Sequence, residues 1–228
     1  MQRLVEPELM NDKAQAEAYA EADFEQAHQL IVGSFDDHFP GVELEGHILD
    51  LGCGPGDISF RFANRFPKCS VIGIDGSDEM IRLANERKAL ETSLQNRISF
   101  INGIIPGASI PEMPYSAVVS NSLLHHLHHP EVLWETVKQH ASSSTKILIV
   151  DLFRPQSQEE ARQIVEECSA NEPEILRQDF YNSLLAAFTL TEIEQQLSDA
   201  GLAELNVKKI SDRHVLIFGE RNNNDYAN

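Results

Sequence analysis

The sequence predicts an α/β protein with a doubly wound, mostly parallel sheet. Short β-branched runs alternate with segments of helical periodicity through most of the chain, which is typical of successive β-α-β units. An apolar run at 47–51 leads into a loop with Gly52, Gly54 and Gly56, and a second apolar run ends on Asp75. Strand, glycine loop, helix, strand and carboxylate in this order form a site for an adenosine-bearing ligand.

Composition narrows the class of partner. The 228 residues fit one large domain, and 18 Lys and Arg against 36 Asp and Glu give a formal net charge of −18. Such a surface repels phosphate backbones and anionic membranes, so we expect a small-molecule substrate, no nucleic acid and no membrane. A homodimer is left open.

The expected compartment is the cytoplasm. The three cysteines contain no close-spaced pair, and an odd number forms no closed disulfide framework. No apolar run approaches the roughly 18 residues that a membrane helix needs, and the N-terminus lacks a signal-peptide core.

The domain plan is a single unit over residues 1–221. Alanines among many acids predict one or two helices between 11 and 32, within a helical leader over residues 1–40. This leader is either a packing brace or a lid over the ligand, and the sequence leaves both open. The alternation breaks into a helical insertion over residues 153–190, and the tail 222–228 is expected to be disordered.

The core elements follow from local signals. Pro67 ends the helix 57–66, Ser77 caps the next helix, and Pro130 begins the one after it. A further helix is expected at 158–168, and Thr191 with Glu194 has the spacing of a capping box for the last helix, which ends near Gly201. Strands are expected at 47–51, 71–75, 98–102, 117–121 and 146–152, with a closing antiparallel hairpin at 205–210 and 215–219.

The segment Asp50-Leu-Gly-Cys-Gly-Pro-Gly56 resembles the first motif of the class I S-adenosylmethionine-dependent methyltransferases. Later segments follow the order of that family from about Arg3 to Arg221, and the general likeness is to its quinone-biosynthesis-like and natural-product branch. The resemblance implies a Rossmann-like seven-stranded sheet whose last strand lies antiparallel beside the fifth. It also implies S-adenosylmethionine as cofactor and methyl transfer to a small-molecule acceptor.

Two other functions stay open. A class I fold can carry out another transfer, or only bind a nucleoside. An NAD-dependent oxidoreductase needs G-x-G-x-x-G, whereas this chain has G-x-G-x-G followed by Asp57. Asp57 and Asp50 would repel a pyrophosphate, which disfavours the dinucleotide.

The family pattern implies a set of cofactor contacts. Asp50 would lie beneath the aminobutyrate tail, Asp75 would accept hydrogen bonds from the ribose, and Met80 would pack on adenine or belong to the core. Relatives carry an aspartate where this chain has Ile104, so adenine must be read by backbone, by Asn102, or less strictly. The whole expected set is Tyr19, Asp50, Gly52, Gly54, Gly56, Asp75, Gly76, Met80, Asn102, Gly103, Ile104 and Asn121.

Candidate catalytic residues follow the fourth strand, whose end lies beside the transferring methyl in this family. Asn121, with Ser122, would form the floor of the site. His125 or His126 could act as general base for a hydroxyl acceptor, or could be a buried packing histidine. No neighbouring cysteine or carboxylate in the sequence completes a familiar metal-ligand spacing, so we expect no metal.

The insertion is expected to choose the substrate. Arg154 follows strand five, and Phe180 and Tyr181 add aromatic surface suited to a small polar molecule. The alternative is a surface helix pair with ordinary ion pairs. Arg154, Phe180 and Tyr181 are the expected substrate contacts.

Overall fold

The computed structural model describes residues 1–22 and 25–221, without the side chains of residues 26–28. The tail 222–228, for which disorder was expected, lies outside the described residues. In the described part of the chain, no helix is both long and apolar enough to span a bilayer.

A seven-stranded sheet forms the centre of the fold, in the order β3-β2-β1-β4-β5-β7-β6. The first five strands run parallel, and β7 pairs antiparallel with β5 and with β6. This confirms the expected Rossmann-like sheet. The strands are β1 Gly46–Leu51, β2 Cys69–Asp75, β3 Ile98–Asn102, β4 Tyr115–Asn121, β5 Lys146–Leu152, β6 Asn206–Lys209 and β7 His214–Glu220.

Helices cover both faces of the sheet. Among the described residues, two helices precede β1, and two more lie in the expected insertion. The α-helices are α1 Lys13–Glu21, α2 Glu25–His38, α3 Asp57–Arg65, α4 Asp78–Leu90, α5 Glu131–His140, α6 Gln158–Ser169, α7 Glu174–Ala186 and α8 Leu190–Asp199, and a 3-10 turn spans Leu124–His126.

The capping box of α8 lies two residues earlier than expected. The Thr189 hydroxyl accepts from the Glu192 amide at 3.3 Å, and the Glu192 carboxylate accepts from the Thr189 amide at 2.7 Å. The pair Thr191 and Glu194 has the same spacing, so sequence alone could not choose between the two pairs. In the observed pair, the Glu192 carboxylate also accepts from Arg154 at 2.7 and 2.9 Å.

The core has one layer on each face of the sheet. Alternation along β1 sends Leu49 toward a cluster that contains Trp134 and sends Ile48 toward a cluster that contains Phe35 and Phe62. A third, smaller cluster joins α6 and α7 to the end of β5. The insertion is thereby fixed above the carboxyl end of the sheet.

Candidate active site

A cavity of about 920 Å³ opens at the carboxyl ends of β1, β2, β4 and β5. Open α/β sheets bind ligands at this edge, and the volume lies at the upper end of the range for small-molecule sites. Its wall includes residues of α1, α6 and α7, so both the leader and the insertion border it. Expected site residues that line it are Tyr19, Gly52, Gly54, Asp75, Gly76, Met80, Gly103, Ile104, Asn121, His125, His126 and Phe180.

The glycine loop after β1 shapes the cavity floor. Gly52 has φ +70°, and a Cβ there would lie 2.8 Å from Leu123 Cβ. Gly54 has φ +51°, but a Cβ there would have no heavy atom within 4 Å. Gly52 therefore serves chain packing, whereas Gly54 leaves open space for a ligand. Gly56 lies buried against Phe100 and does not line the cavity.

Asp75 holds this loop to the end of β2. One carboxylate oxygen accepts from the Gly54 amide at 2.9 Å, and the other accepts from the Ser77 amide at 2.8 Å. Burial raises the pKa of the Asp75 carboxyl. Because Asp75 also lines the cavity, it can accept from ribose hydroxyls while it fixes the loop.

Asp50 lies beneath the loop and is only 1% exposed. Its Oδ2 accepts from the Ser59 hydroxyl at 2.6 Å, and its Oδ1 has no hydrogen-bond partner among the described residues. Burial, with the nearby charges of Asp75 and Asp57, raises the pKa of the Asp50 carboxyl to about 7. Asp50 does not line the cavity, and its hydrogen bond to Ser59 ties β1 to α3.

Asp57 contributes less repulsion than its position in the motif indicates. Its carboxylate pairs with Arg61 at 2.5 Å and with Arg87 at 2.8 Å. These two guanidinium groups offset its charge, so the glycine spacing is the main feature that disfavours a pyrophosphate.

The end of the cavity where the resemblance implies adenine is apolar. Ile104, 59% exposed, lines the cavity, whereas the neighbouring Asn102 does not. Met80 is 4% exposed, as a core residue is, and it also lines the cavity, so its packing on adenine stays a prediction. Leu9 lines this end of the cavity and packs closely on Gly76. A Cβ on Gly76 would lie only 2.7 Å from Leu9 Cδ2.

The two histidines after β4 have different environments. His125 is 2% exposed, and its Nδ1 lies 2.6 Å from Asp151 Oδ1. Burial opposes protonation, but the Asp151 carboxylate outweighs it and raises the pKa of His125. His126 is more open, and its Nδ1 lies 3.1 Å from Glu6 Oε1. Ser122, before them, has a positive φ of 54° and lines the cavity.

Residues 1–12, which we call the N-terminal strap, cross the mouth of the cavity. Arg3 donates to the carbonyls of His125 at 2.8 Å and Leu127 at 2.9 Å, and the Ser77 hydroxyl donates to the Met10 carbonyl at 2.8 Å. Sequence reasoning missed this segment, because an extended strap has no periodicity and its partners lie more than 60 residues away. Strap residues Glu8, Leu9 and Met10 line the cavity.

Only one of the three expected substrate contacts lines the cavity. Both aromatic residues pack against the third cluster, but only Phe180 lines the cavity, whereas Tyr181 lies beneath the Arg162 guanidinium. Neighbouring residues on a helix point about 100° apart, which separates the two aromatic side chains. Arg154 is 7% exposed and paired with Glu192, so the geometry gives it a structural role at the start of α8.

Further lining residues come from α6 and the closing hairpin. Cys168, Arg213 and His214 border the cavity, although sequence reasoning did not select them. Burial, together with the charge of Arg213, lowers the pKa of His214 to about 4. On the α1 side, burial raises the pKa of Tyr19 to about 12.

The parallel sheet, the glycine loop and the acid at the end of β2 are typical of Rossmann-like folds that bind nucleosides. A family model described as "Methyltransferase domain" matches residues 48–145, which include these features. Residues 48–145 are therefore similar to a methyltransferase domain, in agreement with the resemblance of the glycine-loop motif.

Curated relatives match part of the chain. A malonyl-(acyl-carrier protein) O-methyltransferase of Priestia megaterium is 32% identical over 120 residues, which cover 53% of this chain and 40% of that protein. A trans-aconitate 2-methyltransferase of Rhodopseudomonas palustris is 50% identical over 46 residues, which cover 20% of this chain and 18% of that protein. The chain therefore spans well under half of the length of these relatives.

Solved structures match nearly the whole fold. The plantazolicin methyltransferase BpumL, in complex with a triazolic desmethyl analogue and SAH, superposes with a TM-score of 0.69 at 20% identity, covering 92% of this chain and 91% of that one. A SAM-dependent methyltransferase from Aquifex aeolicus has a TM-score of 0.63 at 15% identity, covering 90% and 96%. At these identities the likeness concerns the fold.

Proposed function

We propose that this chain transfers a methyl group from S-adenosylmethionine to a small-molecule acceptor. The main support for the proposal is the hydrogen bond that joins the Gly54 amide to the Asp75 carboxylate. Both residues line a cavity that is large enough for a nucleoside and a second molecule. Residues 1–221 act as one domain in this proposal. The three free cysteines suit a cytoplasmic setting, and a homodimer stays a prediction.

The protein's share of the reaction is mainly positioning. The sulfonium already activates the methyl group, so the site must hold the acceptor in line with it and exclude water. Gly54 admits the cofactor backbone, Asp75 orients the ribose, and Ile104 with Met80 forms the adenine wall. Asn121 and the histidine turn then face the methyl group.

The acceptor occupies the part of the cavity between α7 and the histidine turn. Phe180 and Leu176 supply apolar wall, and Asp179 with His126 supplies polar groups. Apolar walls with a few polar groups are typical of sites for small molecules. His126 orients the acceptor in this proposal, because it is more exposed than His125, whose Nδ1 is committed to Asp151.

Calorimetry with S-adenosylmethionine, S-adenosylhomocysteine and NAD tests the cofactor. We expect the first two to bind and NAD not to bind. Incubation with methyl-labelled cofactor and candidate acceptors, followed by product analysis, separates methyl transfer from another transfer or from nucleoside binding alone. NAD binding without S-adenosylmethionine binding would overturn the proposal.

Replacing Phe180 by alanine is expected to lower methyl-transfer turnover by about tenfold or more, with cofactor affinity within about twofold. The physical reason is that a large aromatic side chain leaves the acceptor wall, while the glycine loop is untouched. Initial-rate kinetics with labelled cofactor, beside calorimetry, measures both effects.

Tyr181→Ala is the matched control, because Tyr181 is the adjacent aromatic residue on α7 and does not line the cavity. It is expected to affect stability more than turnover. Equal losses of turnover in the two variants, at equal folded fractions, would contradict the assignment of Phe180 to the acceptor wall.

A further inference from the structure

Glu6, His125 and His126 converge at the boundary between the N-terminal strap and the cavity. Glu6 Oε1 lies 3.1 Å from His126 Nδ1 and 3.7 Å from His125 Nε2, and one ligand atom from each residue lies within 4.8 Å of the others. The Glu6 side chain is 10% exposed, that of His125 is 3% exposed and that of His126 is 22% exposed. No carboxylate close to the two histidines in the sequence completes a metal-ligand spacing. In the folded protein, Glu6, about 120 residues away in the sequence, supplies one.

We propose that Glu6, His125 and His126 form a binding site for a divalent transition-metal ion, of which Zn²⁺ is the representative. Zinc ligands lie about 2.0–2.2 Å from the metal, so the ligand atoms of a tetrahedral site lie roughly 3.4 Å apart. The two distances from Glu6 Oε1 bracket this value. Two imidazoles with one carboxylate also match the ligand set of open zinc sites that keep a fourth position for water or substrate.

The hydrogen bonds that hold the His125 ring are of the kind found behind metal-ligating histidines. Asp151 accepts from His125 through Nδ1, which leaves Nε2 directed toward Glu6. Asp151 is itself fixed, because its carboxylate accepts from the amides of Leu124 and Leu152, each at 2.7 Å. A carboxylate behind a ligating histidine fixes the ring and its tautomer in metal sites.

His126 supplies the second observation. Its Nδ1 is buried, and although Glu6 is close, the geometry is not that of a hydrogen bond, so the atom has no hydrogen-bond partner among the described residues. A buried nitrogen without an aligned donor or acceptor is costly, and a metal ion would satisfy it. The nitrogen ligands favour Zn²⁺ or a similar ion over Mg²⁺ and Ca²⁺, which prefer oxygen.

The position of the site gives the metal a task that depends on the proposed function. His125 and His126 line the cavity, so the fourth position is directed toward the acceptor. An acceptor with an oxygen or nitrogen donor atom would then be held by the metal. The metal would also tie the strap to the histidine turn, closing the mouth of the cavity.

The test is made on the full-length protein without S-adenosylmethionine, so that it is independent of methyl transfer. Protein stripped with a chelator is dialysed against Zn²⁺, and bound metal is measured by mass spectrometry. We expect one equivalent in the wild-type protein and a loss of affinity of about tenfold or more in Glu6→Gln and in His126→Ala. His129→Ala is the control, because His129 is an exposed histidine of the same segment outside the cluster, and it should bind as the wild type does.

Thermal unfolding gives a second readout. Zn²⁺ is expected to raise the unfolding midpoint of the wild-type protein and of His129→Ala but not that of Glu6→Gln, because a ligand stabilises the folded state that binds it. Absence of Zn²⁺ binding to the wild-type protein would overturn the site. Wild-type affinity in both Glu6→Gln and His126→Ala would overturn it as well, whether or not the protein transfers methyl groups.

Discussion

Replacing Asp75 by alanine is expected to weaken the binding of S-adenosylmethionine by about tenfold to a few hundredfold. The reason is that hydrogen bonds to charged groups contribute about 1.5–3 kcal/mol each. The change removes the acceptor for ribose hydroxyls. It also removes the acceptor of the Gly54 and Ser77 amides, so the glycine loop loses its tie to β2. Calorimetry gives the dissociation constant, and circular dichroism checks the fold.

Asp78→Ala is the matched control for this prediction. Asp78 is an exposed acid in the first turn of α4, three residues from Asp75, and it does not line the cavity. Its loss changes the net charge equally but should leave the dissociation constant within about twofold, because exposed charges interact weakly. An unchanged dissociation constant in folded Asp75→Ala would place the ribose elsewhere.

Replacing Asp50 by asparagine is expected to raise the free energy of unfolding at pH 8 by a few kcal/mol. The pKa of the buried carboxyl is raised to about 7, whereas an unfolded aspartate has a pKa of about 3.9. At about 1.4 kcal/mol per unit this difference gives an upper limit of roughly 4 kcal/mol. The weaker hydrogen bond from Ser59 to a neutral amide reduces the gain.

The pH dependence fixes the sign of this effect. Between about pH 4 and pH 7 the folded carboxyl holds its proton more tightly than the unfolded one, so this group's contribution to stability falls as the pH rises and is lost above pH 7. Asparagine does not titrate. The stability difference between Asp50→Asn and the wild type should therefore be larger at pH 8 than at pH 5, as measured by urea unfolding.

Asp57→Asn is the control of opposite sign. Asp57 lies in the same loop region, but it is paired with Arg61 and Arg87, so its neutralisation should lower stability at pH 8. If Asp50→Asn were less stable than the wild type at pH 8, with a difference that does not vary with pH, the charge of Asp50 would be compensated in the folded protein. Stabilisation by Asp50→Asn with loss of cofactor affinity would show that this carboxylate is kept for function.

Local patterns determined most of the fold. The bounds of β3 and β5 agree with the predicted strands to the residue, because β-branched runs bounded by turn signals need no knowledge of distant contacts. The glycine loop and Asp75 were also readable, since their spacing and backbone requirements are local. Ser77 was correctly predicted as an N-cap for the same reason, as its side chain bonds an amide three residues on.

Tertiary structure decided which side chains meet in the site. The sequence shows Phe180 and Tyr181 as equivalent neighbours, and only the orientation of α7 brings Phe180 to the cavity and Tyr181 to Arg162. Arg154 follows a strand as a pocket residue would, but packing directs it to Glu192. Glu6 joins the histidine turn across about 120 residues, because the strap crosses the cavity mouth. The sequence pattern shows which face of a helix or strand is apolar and where that element ends. A contact between distant residues depends on how the helices and strands pack together.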